Sequence, residues 1–344
     1  MLHQHLTQAF NSSMLRPVLL VMGRDASLNY NCMPILILST AANQHASAVQ
    51  RQLDLLGKQI IRLDFTSKNS RYIAASDGNG GSLTLNGTAY SWQDITSVFV
   101  HHPLPAALHN SGNDVLDSQL RLAGWRNTLD WIETGASHAV WLNKPSQSRR
   151  ASSTAVQLQV AAKHGLRVPS TLFSNDLTSV VDFTARHSSI VLKPGPLPGV
   201  QPSGFRILTR VIQPNLLMAE DLECSPCIFQ EYIEKAYELR VHVINGDVHT
   251  CKIESQRSPT TRIDWRNYNL SETPHFATSI ECGVADACRA ITATLGLSFG
   301  IIDMIVTPSG EYVFLECNSQ GHWLWIEELT RLPITEAVAR ALVV

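Results

Sequence analysis

Two carboxylates and an amide lie close together near the end of the 344-residue chain. Asp303 belongs to one apolar run, whereas Glu316 and Asn318 end a second run that follows the turn signal Thr307–Gly310. Two apolar runs around such a turn predict a β-hairpin. Oxygen donors that converge on one face of a hairpin suit a hard divalent cation such as Mg²⁺, although an ordinary solvated face has the same pattern.

The register of this hairpin decides which side chains share a face, because side chains alternate along a strand. If Val306 pairs with Glu311 across the turn, Asp303 pairs with Phe314. This register predicts that Asp303, Glu316 and Asn318 share one face and that Cys317 points the other way.

A lysine ends another predicted strand, Ile190–Lys193, and a segment rich in Gly and Pro follows it as far as Gly204. Backbone N–H groups of a Gly-rich loop and a lysine ammonium group together suit phosphate oxygens. The same loop would serve as a lid over a reacting nucleotide. A surface lysine beside an ordinary loop has the same appearance in sequence.

A row of charged and ring side chains lies between these two elements along the chain, in a second predicted hairpin that turns at Asn245-Gly246. Its first arm carries Glu238, Arg240 and His242 on one face, a pattern that solvated faces also show. The polar segment from Ser255 to Ser271 follows and contains several arginines. Loops of this length in compact domains are more often functional than idle.

The N-terminal part of the chain predicts an open α/β lobe. Met33–Thr40 is typical of a buried parallel strand, and a helix over His45–Leu56 and a strand over Gln59–Asp64 complete a βαβ start. No Gly-rich phosphate fingerprint follows the first strand, which argues against a dinucleotide-binding domain. Residues Met1–Cys32 are polar and aperiodic, and we interpret them as an N-terminal extension, with an upstream start or a poorly ordered arm as the alternatives.

The bulk composition excludes several classes of function. A net charge of −2 gives no electrostatic case for binding to nucleic acid or to an anionic membrane, and no apolar run approaches the roughly 20 residues of a membrane-spanning helix. Seven scattered cysteines predict a reduced, cytoplasmic protein. Cys224 and Cys227 have CxxC spacing without a second pair, so buried free thiols are the favoured interpretation.

In their order along the chain, the motifs resemble those of the ATP-grasp superfamily. They are most similar to those of the microviridin-type peptide maturases, the graspetide synthetases. The resemblance covers roughly residues 33–344, and four groups of runs carry it: His164–Leu172 with Asn175-Asp176; Phe229–Lys235 with Tyr237–Val241; Ile253–Gln256 with Ile263–Arg266; and Phe314–Asn318 through Gly321–Ile334.

The resemblance implies an α/β fold of three parts after the extension at residues 1–32. These are an open α/β pre-ATP-grasp domain at 33–143, a small central lid lobe at 144–229 and a C-terminal catalytic lobe at 230–344. It also implies a role for each matching residue: Lys193 for ATP phosphates; Gln230, Glu231, Tyr232 and Ile233 for adenine; Glu238 for ribose; Asp303, Glu316 and Asn318 for two Mg²⁺ ions; and Arg240 and Arg266 for the acyl phosphate or the substrate carboxylate.

The implied activity is ADP-forming ligation within a ribosomal precursor peptide that docks through a leader segment. An Asp or Glu carboxylate is activated as an acyl phosphate, and a Thr or Ser hydroxyl or a Lys amine attacks it, which gives an ester or amide ring. The resemblance also implies a homodimer.

Two departures from the family pattern leave alternatives open. His101-His102-Pro103 replaces a usual pair of arginines, and Thr154 replaces a usual phosphate-binding lysine. One alternative is a carboxylate–amine ligase that acts on a small metabolite or a protein tail. The other is a degenerate ATP-grasp protein that binds without turnover, although the intact set of Asp303, Glu316 and Asn318 argues against it.

Overall fold

A computed structural model describes residues 33–67, 72–76, 81–104, 115–193, 209–212, 219–267 and 270–344 of the chain. The chain divides into two compact units, Met1–Val140 with Val344 and Trp141–Val343. The proposed extension at residues 1–32 and the Gly- and Pro-rich segment after Lys193 lie outside the described residues.

The first unit contains a parallel sheet and a small antiparallel one. β1 (Ile35–Leu38) pairs in parallel with β2 (Ile60–Leu63) on one side and with β6 (Ser97–Val100) on the other, and β7 (Val140–Leu142) completes the order β2-β1-β6-β7. The boundary between the two units falls within β7. The predicted open α/β lobe is therefore confirmed, with the elements β1 Ile35–Leu38, α1 Gln44–Leu55, β2 Ile60–Leu63, β3 Tyr72–Ser76, β4 Gly81–Leu85, β5 Thr88–Ser91, β6 Ser97–Val100, α2 Val115–Gly135 and β7 Val140–Leu142.

The second unit contains two antiparallel sheets and the remaining helices. Its elements are α3 Pro145–Ala151, α4 Thr154–Lys163, β8 Thr171–Ser174, α5 Leu177–Ala185, β9 Ile190–Lys193, β10 Arg210–Ile212, α6 Ala219–Glu223, β11 Cys227–Glu231, β12 Tyr237–Ile244, β13 Asp247–Ile253, β14 His275–Thr278, α7 Cys282–Thr294, β15 Phe299–Val306, β16 Tyr312–Asn318, α8 Leu324–Thr330 and α9 Ile334–Ala341.

The smaller sheet of this unit has the strand order β10-β9-β11-β8. One of its faces is covered by α5 and α6 through a compact apolar cluster of Val180, Phe183, Ile190, Leu222 and Phe229. Since strand side chains alternate, the other face carries Val191, Lys193 and Gln230. Lys193 is thereby directed away from the apolar cluster.

The larger sheet has the strand order β14-β13-β12-β15-β16. Its apolar face packs against α4 and α7 through alternate residues such as Leu239, Val241, Ile302 and Met304. The predicted hairpin of β12 and β13 is confirmed, and its turn residues Asn245 and Gly246 have φ of 46° and 94°. Gly in the second of these positions avoids the steric cost of positive φ.

The register predicted for the C-terminal hairpin is wrong by two residues at Asp303. Val306 pairs with Tyr312 rather than Glu311, and Asp303 pairs with Glu316 rather than Phe314. The turn is one residue longer than expected, and a β-bulge at Leu315 adds one more residue to β16. The two displacements together leave Glu316 on the same face as Asp303, with Asn318 opposite Ile301 on that face.

Among the described residues, no helix combines the length and the apolar character that crossing a membrane requires.

Candidate active site

A cleft in the second unit lies between the face of the small sheet that carries Lys193 and the charged face of the large sheet. The segment after β11 connects the two sheets and forms one wall of the cleft. Nine residues that the sequence singled out line it: Lys193, Gln230, Glu231, Tyr232, Ile233, Glu238, Arg266, Asp303 and Glu316. The other two, Arg240 and Asn318, are not among the lining residues but contact Asp303.

The connecting segment is held in place by main-chain hydrogen bonds at its start. The N–H of Glu231 donates to the carbonyl of Ser170 at 3.0 Å, and the N–H of Tyr232 donates to that of Ser189 at 2.9 Å. The Glu231 carboxylate accepts from the Ser170 N–H at 2.9 Å, so this side chain is engaged with the small sheet. Ile233 is buried in an apolar cluster with Ile305 and Val313. The wall is therefore a fixed strip of backbone beside an apolar floor.

Glu238 is 4% exposed and forms an ion pair inside the cleft. The Nζ of Lys235 lies 2.7 Å from its Oε1 and 2.9 Å from the carbonyl oxygen of Ile263. Burial raises the pKa of Glu238, and the charge of Lys235 opposes that effect. Sequence reasoning missed Lys235, although it lies in one of the runs that carried the family resemblance.

Asp303, Glu316 and Asn318 form a connected group on neighbouring strands. The Nδ2 of Asn318 lies 3.2 Å from Oδ2 of Asp303 and 3.2 Å from Oε1 of Glu316. Both oxygens of Asp303 accept from Nη1 of Arg240, at 2.7 and 2.9 Å. The Nζ of Lys193 lies 3.9 Å from Oε2 of Glu316. Each carboxylate is thus matched by a cation from another strand.

The two carboxylates have different proton affinities. Burial raises the pKa of Asp303 to about 6 against the effect of Arg240, and the nearby charge of Glu316 raises it further. Burial also acts to raise the pKa of Glu316, but Lys193 and Arg266 outweigh it and hold this pKa below its usual value. Glu316 is therefore the more persistent anion of the pair.

The donor set fits Mg²⁺. Two carboxylates and an amide carry only oxygen donors once the Asn318 amide turns its oxygen inward, and hard cations prefer oxygen ligands. The side chain of Glu316 is 34% exposed, which leaves the group open to the cleft. Asp303, Glu316 and Asn318 are the residues that would hold the metal.

Arg266 is fixed by a neighbouring carboxylate that sequence reasoning did not single out. Asp264 accepts from Nε of Arg266 at 2.9 Å and from Nη2 at 2.6 Å. It also accepts from the N–H of Thr209, which precedes β10 in the small sheet, at 3.0 Å. The hydrogen bonds that Arg266 donates to Asp264 raise the pKa of Arg266 above its usual value. Asp264 thus ties a cationic group of the large lobe to the small sheet.

Two buried amides brace the hairpin that carries the carboxylates. The Oδ1 of Asn143 accepts from the N–H of Phe299 at 2.9 Å, and its Nδ2 donates to the carbonyl of Phe299 at 2.7 Å and of Ser319 at 3.0 Å. Gln157 on α4 binds both main-chain groups of Cys317. No sequence pattern singled out either amide, because their partners are more than 150 residues away.

The departures from the family pattern lie in different places. His101 and His102 follow β6 in the first unit, where Nδ1 of buried His101 lies 2.9 Å from Nδ2 of Asn43. Thr154 begins α4 and is not among the described residues that line the cleft. Trp323 is fully buried, whereas Trp325 stacks on Trp265 with ring centroids 5.2 Å apart.

Comparison with solved structures assigns this architecture to a known fold. An ATP-grasp ligase from Chryseobacterium gregarium, in complex with ADP and with a leader and core peptide, shares 26% identity and a TM-score of 0.78, with 90% of this chain and 96% of that one covered. The chain is an ATP-grasp protein. The likeness to peptide-maturing members of the superfamily, expected from the sequence, is confirmed.

Two further solved structures share this fold over most of the chain. The macrocyclase MdnC from Microcystis aeruginosa, bound with its precursor peptide MdnA, is 26% identical with a TM-score of 0.75, with 90% of this chain and 99% of that one covered. The ATP-grasp ligase PsnB, complexed with minimal precursor, Mg and ADP, is 19% identical with a TM-score of 0.73, covering 93% and 99%. No model of a protein family matches the chain, and no curated protein does.

Proposed function

We propose that this ATP-grasp protein is an ADP-forming ligase that closes rings within a ribosomal precursor peptide. The observation that carries the proposal is the convergence of Lys193, Arg266, Asp303 and Glu316 in one cleft of this fold. Solved ligases of the same fold that are about a quarter identical to the chain are complexed with ADP, a leader and core peptide, or a precursor peptide.

The proposed chemistry has two steps. A carboxylate oxygen of the peptide attacks the γ-phosphorus of ATP, ADP leaves, and an acyl phosphate forms. A Thr or Ser hydroxyl or a Lys amine of the same peptide then attacks the acyl carbon, phosphate leaves, and the attacking group loses its proton. The net result for each ring is the loss of one water from the peptide and the conversion of one ATP to ADP and phosphate.

Electrostatics explains why cationic residues surround the cleft. The first step brings a carboxylate anion to a phosphate anion, so their repulsion must be offset before they can react. In this proposal Lys193 binds the phosphates, and Arg266, held by Asp264, meets the transferred phosphoryl group. Asp303, Glu316 and Asn318 would hold Mg²⁺, which would neutralise charge on the phosphates, and two ions at these residues are part of the proposal.

Arg240 is proposed to bind the activated carboxyl group of the peptide, and its contact with Asp303 holds it in place. Its guanidinium holds Asp303 from the next strand and also donates to the carbonyl of His322 at 3.2 Å. The group lies 5.2 Å from the ring of Trp265, which lines the cleft. We assign Arg240 to the peptide carboxylate or the acyl phosphate, since its fork matches the geometry of both.

The nucleotide is assigned to the remaining wall. The segment Gln230–Ile233 would meet adenine through backbone groups, and Glu238 would accept hydrogen bonds from the ribose hydroxyls.

The proposal also includes the organisation of the protein and its partners. It comprises the three-part division at residues 143, 229 and 344, docking of a leader segment, a homodimer and a cytoplasmic location. Gel filtration with light scattering tests the dimer.

The test uses the purified full chain with Mg²⁺, ATP and the short peptide encoded beside its gene. Release of ADP together with the loss of one water per ring, read by mass spectrometry, is the expected result. Alkaline hydrolysis then separates esters, which open, from amides, which persist.

Other outcomes favour the alternatives. ADP release with small carboxylates and amines but no peptide dehydration would indicate a small-metabolite ligase. Tight ATP binding without ADP release would indicate a non-catalytic binder, and Thr154→Lys would then test whether the missing lysine is responsible.

A further inference from the structure

Lys235 is a buried cation in the cleft that the proposed reaction does not use. It lies in the segment between β11 and β12, three residues before Glu238. The side chains of Lys235 and Glu238 are 3% and 5% exposed, and both residues line the cleft. Their contact of 2.7 Å is a charge-assisted hydrogen bond of good geometry.

A buried ion pair is weak evidence for a stabilising role. The desolvation of two charges commonly cancels their attraction, so an apolar pair of similar volume would often stabilise the fold as well. The second hydrogen bond of Lys235, to the carbonyl of Ile263, joins the pair to the segment that carries Asp264 and Arg266. The pair therefore connects two parts of the cleft wall, and a role in ligand recognition explains its position better than stability does.

The carboxylate of Glu238 is surrounded by other charged groups. Arg240 and Asp303 lie on the same face of the sheet, on the same and the neighbouring strand. Asp264 adds a like charge that acts to raise the pKa of Glu238, whereas Lys235 and a hydrogen bond from Ser255 act to lower it. Lys235 is the cation in direct contact with this carboxylate.

We propose that Lys235 is a positioning residue for nucleotide recognition, which anchors Glu238 as an anion directed at the ribose and thereby sets a preference for ribonucleotides over deoxynucleotides. This inference rests on the proposed use of ATP. An ionised carboxylate accepts strong, charge-assisted hydrogen bonds from both ribose hydroxyls, whereas a protonated one accepts only weaker, neutral hydrogen bonds. Removal of one ribose hydroxyl takes away one of the hydrogen bonds that this buried anion accepts.

The test is calorimetric titration of the full chain with ATP, 2′-deoxy-ATP and 3′-deoxy-ATP in the presence of Mg²⁺ and without peptide. The wild-type protein is expected to bind ATP about tenfold or more tightly than either deoxynucleotide, the scale of a hydrogen bond to a charged group. In Lys235→Met the preference is expected to fall to about twofold or less, and in Lys235→Arg it is expected to persist.

A matched control separates this effect from a general loss of charge. Lys252 lies on β13 and pairs with Glu254 at 2.8 Å, and neither residue lines the cleft. Lys252→Met is expected to leave both the ATP affinity and the ribose preference within about twofold of wild type.

A pH series adds a measurement that a merely structural role would not affect. In Lys235→Met, the loss of the lysine charge is expected to raise the pKa of Glu238 further, so the ribose preference should increase as the pH is raised from 7 to 9. The wild-type preference should stay level over that range. If the single variant does not fold, Lys235→Met with Glu238→Gln removes both buried charges, and the pair of changes should lack the preference at every pH.

Two results would overturn the inference. One is a ribose preference that survives Lys235→Met or the double change. The other is an equal loss of affinity for all three nucleotides, which would place the lysine on the phosphates or the base. Either result leaves the proposed ligase activity intact, whereas a wild-type protein that binds no ATP would remove the proposed function itself.

Discussion

The side chain of Gln157 forms hydrogen bonds with both main-chain groups of Cys317. Its Oε1 accepts from the Cys317 N–H at 2.9 Å, and its Nε2 donates to the Cys317 carbonyl at 2.9 Å. Cys317 lies between Glu316 and Asn318, so one buried amide from a helix fixes the strand segment that carries two candidate metal ligands. A side chain 160 residues away thereby determines the geometry of the site.

Gln157→Ala is expected to affect both stability and activity. It leaves two buried main-chain groups of Cys317 without partners, which costs about 1–3 kcal/mol for each group. We expect a lower midpoint of urea unfolding and a higher Mg²⁺ concentration for half-maximal ATP turnover. Gln159→Ala, on the exposed side of the same helix, is the control. Equal behaviour of the two variants would contradict the bracing role.

Glu316→Gln is expected to abolish ATP turnover without unfolding the protein. The change keeps the shape of the side chain but removes the anion that faces Lys193 and the candidate metal position. ADP release with Mg²⁺ and a substrate peptide is the measurement, and circular dichroism checks the fold. Glu311→Gln, at the other end of the same strand pair, is the control. Turnover at the wild-type level in Glu316→Gln would mean that the metal assignment is wrong.

Much of the fold could be predicted because local patterns carry it. The βαβ start, the hairpin at Asn245-Gly246 and the two apolar runs around residues 307–310 follow from hydrophobic periodicity and turn residues. The order of these motifs then indicated the superfamily. Local periodicity decides these elements, so a single sequence was sufficient to find them.

The register of the C-terminal hairpin could not be predicted, because two irregularities compensate. The longer turn alone would have placed Glu316 on the face opposite to Asp303, and the bulge at Leu315 returns it. A shift by one residue exchanges the two faces of a strand. The predicted sharing of a face therefore depends on a register that does not occur, and the two compensating shifts have no signature in the sequence.

The partners of the site residues were also beyond the sequence. Lys235 and Asp264 are ordinary charged residues by type, and their contacts with Glu238 and Arg266 depend on how loops fold back over the sheet. The amides of Asn143 and Gln157 meet strands that lie far along the chain. Tertiary contacts of this kind have no local signature.

Asp264→Asn is expected to slow turnover by about tenfold or more, because small displacements of a catalytic group are costly. The change removes the charge that fixes Nε and Nη2 of Arg266 and one acceptor used by Arg266 or Thr209. The rate of ADP release at saturating ATP and peptide is the measurement. Asp286→Asn removes a comparable pair, with Arg289 at 2.7 Å on the exposed surface, and should have no effect. Equal rates in the two variants would argue against a positioning role for Asp264.

The buried neutral ring of His242 is expected to make the folded protein less stable in mild acid. Burial lowers its pKa to about 3, and the charge of Arg240 lowers it further, so the folded protein keeps this imidazole neutral. The unfolded chain takes up a proton below about pH 6.5. The stability that depends on the neutral ring is therefore present above pH 6.5 and decreases as the pH falls towards 3.

The size of this effect is measurable by urea unfolding at pH 7.5 and pH 5.0. The lower pH lies about 1.5 units below the pKa of histidine in the unfolded chain, which corresponds to a loss of about 2 kcal/mol in the free energy of unfolding for one histidine. His249 and His275, whose pKa values burial also lowers, add to the total loss in the wild-type protein. His242→Gln keeps a polar group that can donate to the carbonyl of His249 and should reduce the difference between the two pH values by about that amount. The same substitution at exposed His138 should leave the difference unchanged, and a His242→Gln variant as acid-sensitive as the wild type would show that this ring is not the source.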